Sequence, residues 1–568
     1  MSRTPCSVFC SCFCLQLLNG SVSAIMSVLV LPHATSLVAV AESPKSIFVL
    51  LVVGLLSYAM VQKLNSNKVE RLFAEKYGAV RLVSVNTDFF GVRRFLSLTR
   101  SLRAHKLMEH MVDDFRKYGN TFGTTTLGRH NPWTIDPENI KAMLATKFND
   151  FGLGTRPDAF HPLLGEGIFT LDDEGWAHSR AMLRPQFTRQ QVSDVAKLEP
   201  HVRNLMSCLP QSQTESCDIQ ELFYRMTLDS ATEFLFGESV ASLQLTTKSG
   251  DKNAGDIQVV ATDAGKQGFT YAFNYSQEVL AFRALMQSLC WLLNPKDFRE
   301  ATAIVHKFVD YYVNNALDAY RDGAAKIEEI TGGRYIFLYA LVEVTQDPKT
   351  LRDQLLNILL AGRDTTAGLL SWTFYLLARH TRVFQKLRDE VVEVFGEEPN
   401  SPGKHQINFE TLKSATYLRY VLNEVLRLYP SVPQNNRYAV RDTVLPVGGG
   451  PDGKSPILIR KREKVTYSVY VMQRRKDFYG EDADEFRPER WAEGKSWTWE
   501  YLPFNGGPRI CLGQQYALTE AGYTIVRLLQ ECDTLETTET PETDGFPLKR
   551  TTLTMSNATG VHVRLYKK

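Results

Sequence analysis

Phe504-Asn505-Gly506-Gly507-Pro508-Arg509-Ile510-Cys511-Leu512-Gly513 runs directly into a helical pattern that continues from Gln514 to Gln530. A single cysteine stands in a loop with three glycines, a proline and an arginine. Backbone amides at the glycine turns, the positive end of the helix beginning near Leu512 and the Arg509 cation would all favour the thiolate of Cys511. The loop therefore suits a single-thiolate metal ligand. The plainer alternative is a buried free cysteine beside a turn, the common fate of a lone cysteine.

The spacing F-x-x-G-x-R-x-C-x-G is complete here and resembles the haem-binding loop of the cytochrome P450 family. The resemblance implies that Cys511 is the axial thiolate of haem b (iron protoporphyrin IX), with Phe504, Gly507, Arg509 and Gly513 shaping the loop around it. A thiolate ligand pushes electron density onto iron and favours O–O cleavage, so the implied chemistry is oxygen activation.

Four further constellations bear on that reading. Ala361-Gly362-Arg363-Asp364-Thr365-Thr366 interrupts the otherwise apolar helical pattern Thr350 to Leu377. Gly362 would let oxygen approach the backbone, and Thr365 beside Asp364 could relay protons, unless the threonine merely back-bonds to the preceding turn. The hexapeptide resembles the family's A-G-x-D-T-T oxygen-activation motif, which places Asp364 and Thr365 as catalytic residues. Glu424 and Arg427 share one helix face at i and i+3. With Phe486-Arg487-Pro488-Glu489-Arg490-Trp491 they resemble the family's E-x-x-R and P-E-R-F elements, implying a structural network of Glu424, Arg427 and Arg490. Trp176 and Arg180 open a helix behind the capping sequence Asp172-Asp173-Glu174-Gly175 and face one side. In the family such a pair donates to the haem propionates. Arg437, after the E-x-x-R helix, resembles another propionate ligand; its alternative is a surface arginine. Arg180, Arg437 and Arg509 would then neutralise two propionates, since buried charges need partners. His178 is a rival iron ligand only in principle, because it sits on a polar helix start.

The chain has 568 residues, with 65 Lys plus Arg against 63 Asp plus Glu, a net charge of +2. This near-balance, without a basic tract interleaved with aromatics, gives no sign of nucleic-acid binding. Of nine cysteines, Cys6, Cys10, Cys12 and Cys14 crowd the start and the others are scattered, with no zinc or C-x-x-C spacing. The crowded four are either acylated near a membrane or incidental. Ser46 to Gln62 is uncharged and at the short end of a bilayer span. Lys63, Lys68, Arg71 and Lys76 follow it, against Lys45 before it, so the positive-inside rule puts the C-terminal part in the cytosol. The organisation expected is an extension without assigned role (1–45), a transmembrane anchor helix (46–62) and a cytosolic catalytic domain (63–568). Ala24 to Ala41 is a weaker apolar stretch broken at Pro32-His33, and Met26 is an alternative start.

Long helical patterns span Arg100 to Tyr118, Gln190 to Ser207, Asp218 to Phe236, Ala301 to Tyr320, Thr350 to Leu377, Phe409 to Leu428 and Gln514 to Gln530. Strand-like patches are short: Thr121 to Thr126, Trp133 to Ile135, Ile457 to Ile459, Val465 to Tyr467 and Val561 to Leu565. The fold class is mainly α with a small β-sheet region, the cytochrome P450 fold. No Rossmann glycine fingerprint or P-loop is present to hold NADPH or flavin, so electrons come from a partner. The resemblance makes that partner NADPH–cytochrome P450 reductase, with cytochrome b5 as a further one, at the endoplasmic reticulum membrane with a single pass.

Tyr335 to Leu341, Asn357 to Thr366 and Val469 to Trp491 look like the fungal subfamily that hydroxylates n-alkanes and fatty acids at the chain end. The implied reaction inserts one oxygen atom from O2 into a C–H bond of a lipophilic substrate. Two alternatives stand beside it: a tailoring oxidase of fungal secondary metabolism (polyketide or terpenoid), and a reductase-independent hydroperoxide isomerase, which the Asp364-Thr365 pair argues against. Three departures from the subfamily are the missing proline-rich hinge in Arg71 to Arg94, Gln473 where histidine is usual, and the N-terminal extension. Phe269 to Pro295 is apolar enough either to dip into a membrane or to form a core helix.

Overall fold

The computed structural model describes residues 66–86, 90–188, 194–210, 212–244, 268–538 and 547–567, with single residues 57, 60, 64 and 88. The chain divides into two compact units, 1–76 and 77–568. In the first, the described residues 66–76 are helical. Almost all of the expected anchor at 46–62 lies outside the described residues; among those described, no helix is long and apolar enough to cross a membrane.

The second unit opens with α1 (Val92–Arg103) and α2 (Leu107–Tyr118), where a single helix was expected from Arg100. His105, at φ 57, breaks it without any glycine or proline to mark the place. There follow β1 (Thr121–Thr126), β2 (Arg129–Thr134), β3 (Phe151–Gly152), α3 (Arg156–Leu164), α4 (Asp173–Leu183), α5 (Ile219–Phe236), α6 (Phe269–Met286), α7 (Lys296–Asp322), α8 (Pro348–Leu377), α9 (Thr381–Phe395) and α10 (Thr416–Leu428). The C-terminal part adds β4 (Gln434–Ala439), β5 (Thr443–Gly449), β6 (Ser455–Ile459), β7 (Lys464–Ser468), α11 (Gln514–Glu531), β8 (Thr534–Thr537) and β9 (His562–Tyr566). The expected pattern Phe409 to Leu428 is also two helices. Asn408 caps Phe409–Ser414 with a capping box, and the Glu390 carboxylate of α9 accepts from the amides of Tyr417 and Leu418 at 2.8 Å each, capping α10 from outside.

The principal sheet has the order β1-β2-β7-β4-β3. β2 and β7 run parallel, with Trp133 opposite Thr466, and β4 pairs antiparallel with β7, with Arg437 opposite Val465 and Tyr438 opposite Lys464. Smaller sheets pair β5 with β6 and β9 with β8. α6 is largely core: Phe269, Phe273 and Leu280 are fully buried. Beyond its end Leu289, Trp291 and Leu292 are exposed, so the apolar stretch Phe269 to Pro295 divides between core and surface.

α8 organises the helical body. Asp347 caps it by accepting from Thr350 N at 2.8 Å, and Pro348 occupies its first position. Leu351 to Leu360 belong to one hydrophobic cluster with α5, α6 and α7, and Ala367 to Ala378 to another with α9, α10 and α11. The polar run 361–366 falls in the gap between them.

The segments that lead into the cysteine loop are joined by one carboxylate. Glu424 accepts two bonds from Arg427 (2.8 and 2.9 Å), one from Arg490 Nε (3.3 Å), one from Trp491 Nε1 (3.0 Å) and one from the Arg487 amide (3.1 Å). Arg427 donates onward to the carbonyls of Gln473, Ala483 and Glu485, and Arg490 to those of Tyr479 and Asp482. Gln473, where histidine is usual, donates to the carbonyls of Leu426 and Arg427 and accepts from Leu502 N at 2.8 Å. It thus ties the end of α10 to the start of the cysteine loop. Glu424, Arg427 and Arg490 are at most 1 % exposed, so removing one partner strands a buried charge.

A second buried carboxylate is poorly partnered. Glu520 of α11 accepts from the Ser230 hydroxyl of α5, while its other oxygen and the nearby Thr366 hydroxyl lack partners of hydrogen-bond geometry. Thr366 is close enough to draw its pKa down slightly, but burial dominates and pushes it from 4.5 up to about 7. Folded protein therefore binds more protons than unfolded chain between about pH 4.5 and 7, and stability falls as pH rises through that window. Glu520→Gln should remove this slope and gain about 3 kcal/mol over wild type above pH 7, at about 1.4 kcal/mol per decade of proton activity, in urea unfolding across pH 4 to 8. Glu424→Ala should lose about 3–5 kcal/mol and fail to retain haem; a variant with normal stability and haem content contradicts the clamp.

Candidate active site

A cavity of about 500 Å³ lies between α8 and the cysteine loop, bounded also by α4, α5 and the principal sheet. Cys511, Thr365, Trp176, Arg180, Arg437, Arg509, Phe504 and Gly513 all line it. Gly507, Asp364 and the Glu424 clamp do not.

The loop holds its shape through the backbone. Cys511 N donates to Phe504 O at 3.0 Å and Ile510 N to Gly507 O at 3.0 Å. Gly507 has φ 69, and a Cβ there would stand 1.9 Å from Leu144 O, so no other residue fits. Gly513 serves differently: its Cβ would meet nothing nearer than Phe187 at 3.9 Å, so the glycine leaves open cavity beside the sulfur. α11 starts at Gln514, with Gly513 as its N-cap, rather than near Leu512. Cys511 has accessible surface, yet that surface faces the cavity and protein surrounds it. Burial pushes its thiol up, against the opposing pull of the Gly513 amide and the Arg180 charge. The amides and helix end expected to hold the thiolate do not suffice alone. A bound metal cation would keep the sulfur ionised.

On the opposite wall, Gly362 bares the helix surface: an added Cβ would approach only Ala231, at 3.9 Å. Thr365 Oγ1 donates to Ala361 O at 2.6 Å, the back-bond of the preceding turn, which leaves its lone pairs to accept from the cavity. Asp364 faces the other way. It is 3.3 Å from Arg363, whose guanidinium also donates to Asn274 of α6 and lies over Tyr224 and Phe273. Burial raises the Asp364 carboxyl above the ordinary range, with Arg363 and Gln277 drawing it down.

The cationic side of the cavity is crowded. Arg509 donates to Asp172 at 2.6 Å and stacks 4.4 Å from Trp176; Arg180 donates to Ile510 O at 3.0 Å. Arg437, 3 % exposed and so no surface arginine, donates to Asn436 O at 2.7 Å. Asp172 does not cap α4 with its side chain; it accepts from Leu153 N and Arg509 instead. His178 is exposed and outside the cavity. One member of this arginine cluster was missed in the sequence. Arg156, which opens α3, donates to Asn435 Oδ1 at 2.5 Å, shares that acceptor with Arg437, and lines the cavity. No motif surrounds it, since Thr155 and Pro157 announce only a helix start. Desolvation, then Arg437, lowers Arg156 to about 10; desolvation, offset by Asp172, lowers Arg509 to about 10.

Four arginines thus face one cavity, and among the described residues only Arg509 of the four bonds a carboxylate, that of Asp172, an excess of positive charge that fits a bound dianion. Among the described residues no group of three His, Cys, Asp or Glu could hold a metal by itself, so a lone thiolate suits a metal whose other ligands come with it. Haem b would meet both requirements: Cys511 could ligate its iron, and Arg156, Arg180, Arg437 and Arg509 could pair with its propionates.

The family profile of Cytochrome P450 matches residues 92–558. Cytochrome P450 52A5 of Candida maltosa is 56% identical over 440 residues, covering 76% of this chain and 80% of its own. Cytochrome P450 52A3-A of the same organism is 51% identical (84% and 90% covered), and Cytochrome P450 52A12 of Debaryomyces hansenii 49% identical (87% and 93%). The chain belongs to the cytochrome P450 family: it is a haem-thiolate monooxygenase that draws NADPH electrons through a reductase.

Proposed function

We propose that this monooxygenase hydroxylates fatty acids and n-alkanes at the chain end, with Cys511 as iron ligand, Thr365 as the proton-handling hydroxyl and Asp364 as its supply. The observation that carries the reading is a single cavity that joins the thiol loop to the bare, hydroxyl-bearing stretch of α8, with leucine and phenylalanine side chains over much of its remaining wall. The family match and the relatives at about half identity support the monooxygenase class on which this substrate reading builds.

Haem b, when bound, supplies O2 activation and insertion of one oxygen atom into a C–H bond. The chain's residues orient and protonate. Arg156, Arg180, Arg437 and Arg509 pair with the cofactor's carboxylates, and Trp176, stacked under Arg509, fixes that guanidinium. Gly362 keeps space open above the helix. Thr365 Oγ1, its own proton turned to Ala361 O, accepts a hydrogen bond from the cavity and so holds a proton there. Asp364 keeps its carboxyl proton more readily than an exposed acid because it is buried, and sits one residue from Thr365 on the protein side. Residues 46–62 anchor the chain in the endoplasmic reticulum membrane in a single pass, with the catalytic domain (63–568) on the cytosolic side, where the reductase and cytochrome b5 reach it.

The test is product analysis by mass spectrometry of microsomes containing this protein and a reductase, given NADPH with fatty acids and alkanes. Terminal alcohols should dominate. Thr365→Ala should lower product about a hundredfold while NADPH consumption persists, and Cys511→Ser should abolish both haem-thiolate spectrum and product. Hydroxylation spread along the chain, or confined to a polyketide or terpenoid substrate, would overturn the chain-end reading. Deleting residues 1–62 should move the protein from the membrane pellet to the supernatant on ultracentrifugation.

A further inference from the structure

We propose that Lys464, with Thr466 and Asn131 beside it, is the specificity element that recognises the carboxylate of a fatty-acid substrate at the sheet wall of the cavity. The proposal rests on the aliphatic-substrate reading above and adds what separates an acid from an alkane of equal length.

Lys464 opens β7 and lines the same cavity as Cys511 and Thr365. Strand register fixes its neighbours. Tyr438 stands directly opposite on β4; Thr466, two residues on, shares its face and stands beside Trp133 of β2, which brings Asn131 level with Lys464. Arg437 pairs with Val465 and so belongs to the other face, which separates Lys464 from the cations assigned to the propionates. The Lys464 side chain forms no hydrogen bond or ion pair among the described residues, and neither an acid nor a member of the arginine cluster acts on its charge. Burial alone lowers its amine, to about 8, so the ammonium form still predominates at neutral pH.

A cation in this setting needs a counter-charge. The polar atoms around it are also unsatisfied: Thr466 Oγ1 and Asn131 Oδ1 are buried, line the cavity and have no hydrogen-bond partner. A carboxylate would accept from the ammonium and from the Thr466 hydroxyl, while Asn131 Oδ1 accepts a remaining ammonium proton. The alkyl chain would then run along leucines such as Leu98, Leu102 and Leu107, which line the cavity from α1 and α2. An n-alkane leaves Lys464 unpaired and forgoes this contribution.

The test is a spectral titration of the haem-loaded full chain with dodecanoic acid and with dodecane, for wild type, Lys464→Gln and Lys464→Arg. Charge-assisted hydrogen bonds predict that the acid-to-alkane affinity ratio falls about ten- to a hundredfold in K464Q and largely recovers in K464R. Wild-type binding of both ligands with a ratio unmoved by K464Q overturns the subsite and leaves the aliphatic reading standing. Wild-type binding of neither overturns both. Should K464Q not load haem, the wild type itself decides: affinity at least tenfold higher for dodecanoic acid than for its methyl ester supports the subsite, and equal affinity overturns it.

Discussion

The five hydrogen bonds received by Glu424 are what the remainder of the site hangs on. A carboxylate at zero exposure is tolerable only when every lone pair is used and its charge is matched. Glu424 meets that condition by drawing in Arg427 from its own helix, Arg490 from sixty-six residues on, and the Trp491 and Arg487 N–H groups. The two arginines then spend their spare donors on five carbonyls of the irregular segment 473–485. A stretch with little regular structure thereby becomes fixed, and Gln473 carries the constraint to Leu502, where the cysteine loop begins.

From there the loop is constrained by exclusion. Gly507 approaches Leu144 O so closely that a methyl group has no place, while Gly513 and Gly362 do the reverse and leave volume unfilled. Glycine thus has two uses around one cavity: contact against the backbone on one side, vacancy toward the ligand on the other. Thr365 and Asp364 divide in a comparable way. Adjacent in sequence, they point to different sides of α8, one to the cavity and one to a buried polar cluster shared with α6. A proton passing between them would have to cross the helix surface rather than a solvent channel.

The loop, the Glu424–Arg427 pair and the helical body were legible in the sequence because each is written in short-range spacing: a ten-residue loop, an i, i+3 pair, an amphipathic period; the place of Arg490 in the clamp came from the family resemblance alone. What escaped has its cause at long range. α1 and α2 separate at His105, a residue of ordinary appearance that takes positive φ to turn the chain. α10 starts anew at Thr416 because Glu390, on another helix, supplies its cap. β4 holds Asn435 and Asn436, poor strand formers, and exists because β7 pairs with it. Arg156 and Lys464 carry no motif at all, and only the fold brings them to the cavity. Even Asp172, well placed to cap α4, is diverted to Arg509 and Leu153 N once those neighbours arrive.

The cavity's charge is consequently arranged in two places on opposite faces of the β4–β7 pair. Arg437 projects from one face toward Arg156, with which it shares Asn435, and Arg509 and Arg180 complete that group around Trp176. Lys464 projects from the other face among neutral hydroxyl and amide groups. Burial first and the neighbouring like charges second lower Arg156 and Arg509, and a cluster of this kind suits a dianion that would match its charge. A single lysine apart from the cluster feels none of that repulsion and answers to a monoanion instead. Spacing the two across a sheet lets one cavity hold a doubly charged cofactor and select a singly charged substrate without either anion competing for the other's partner.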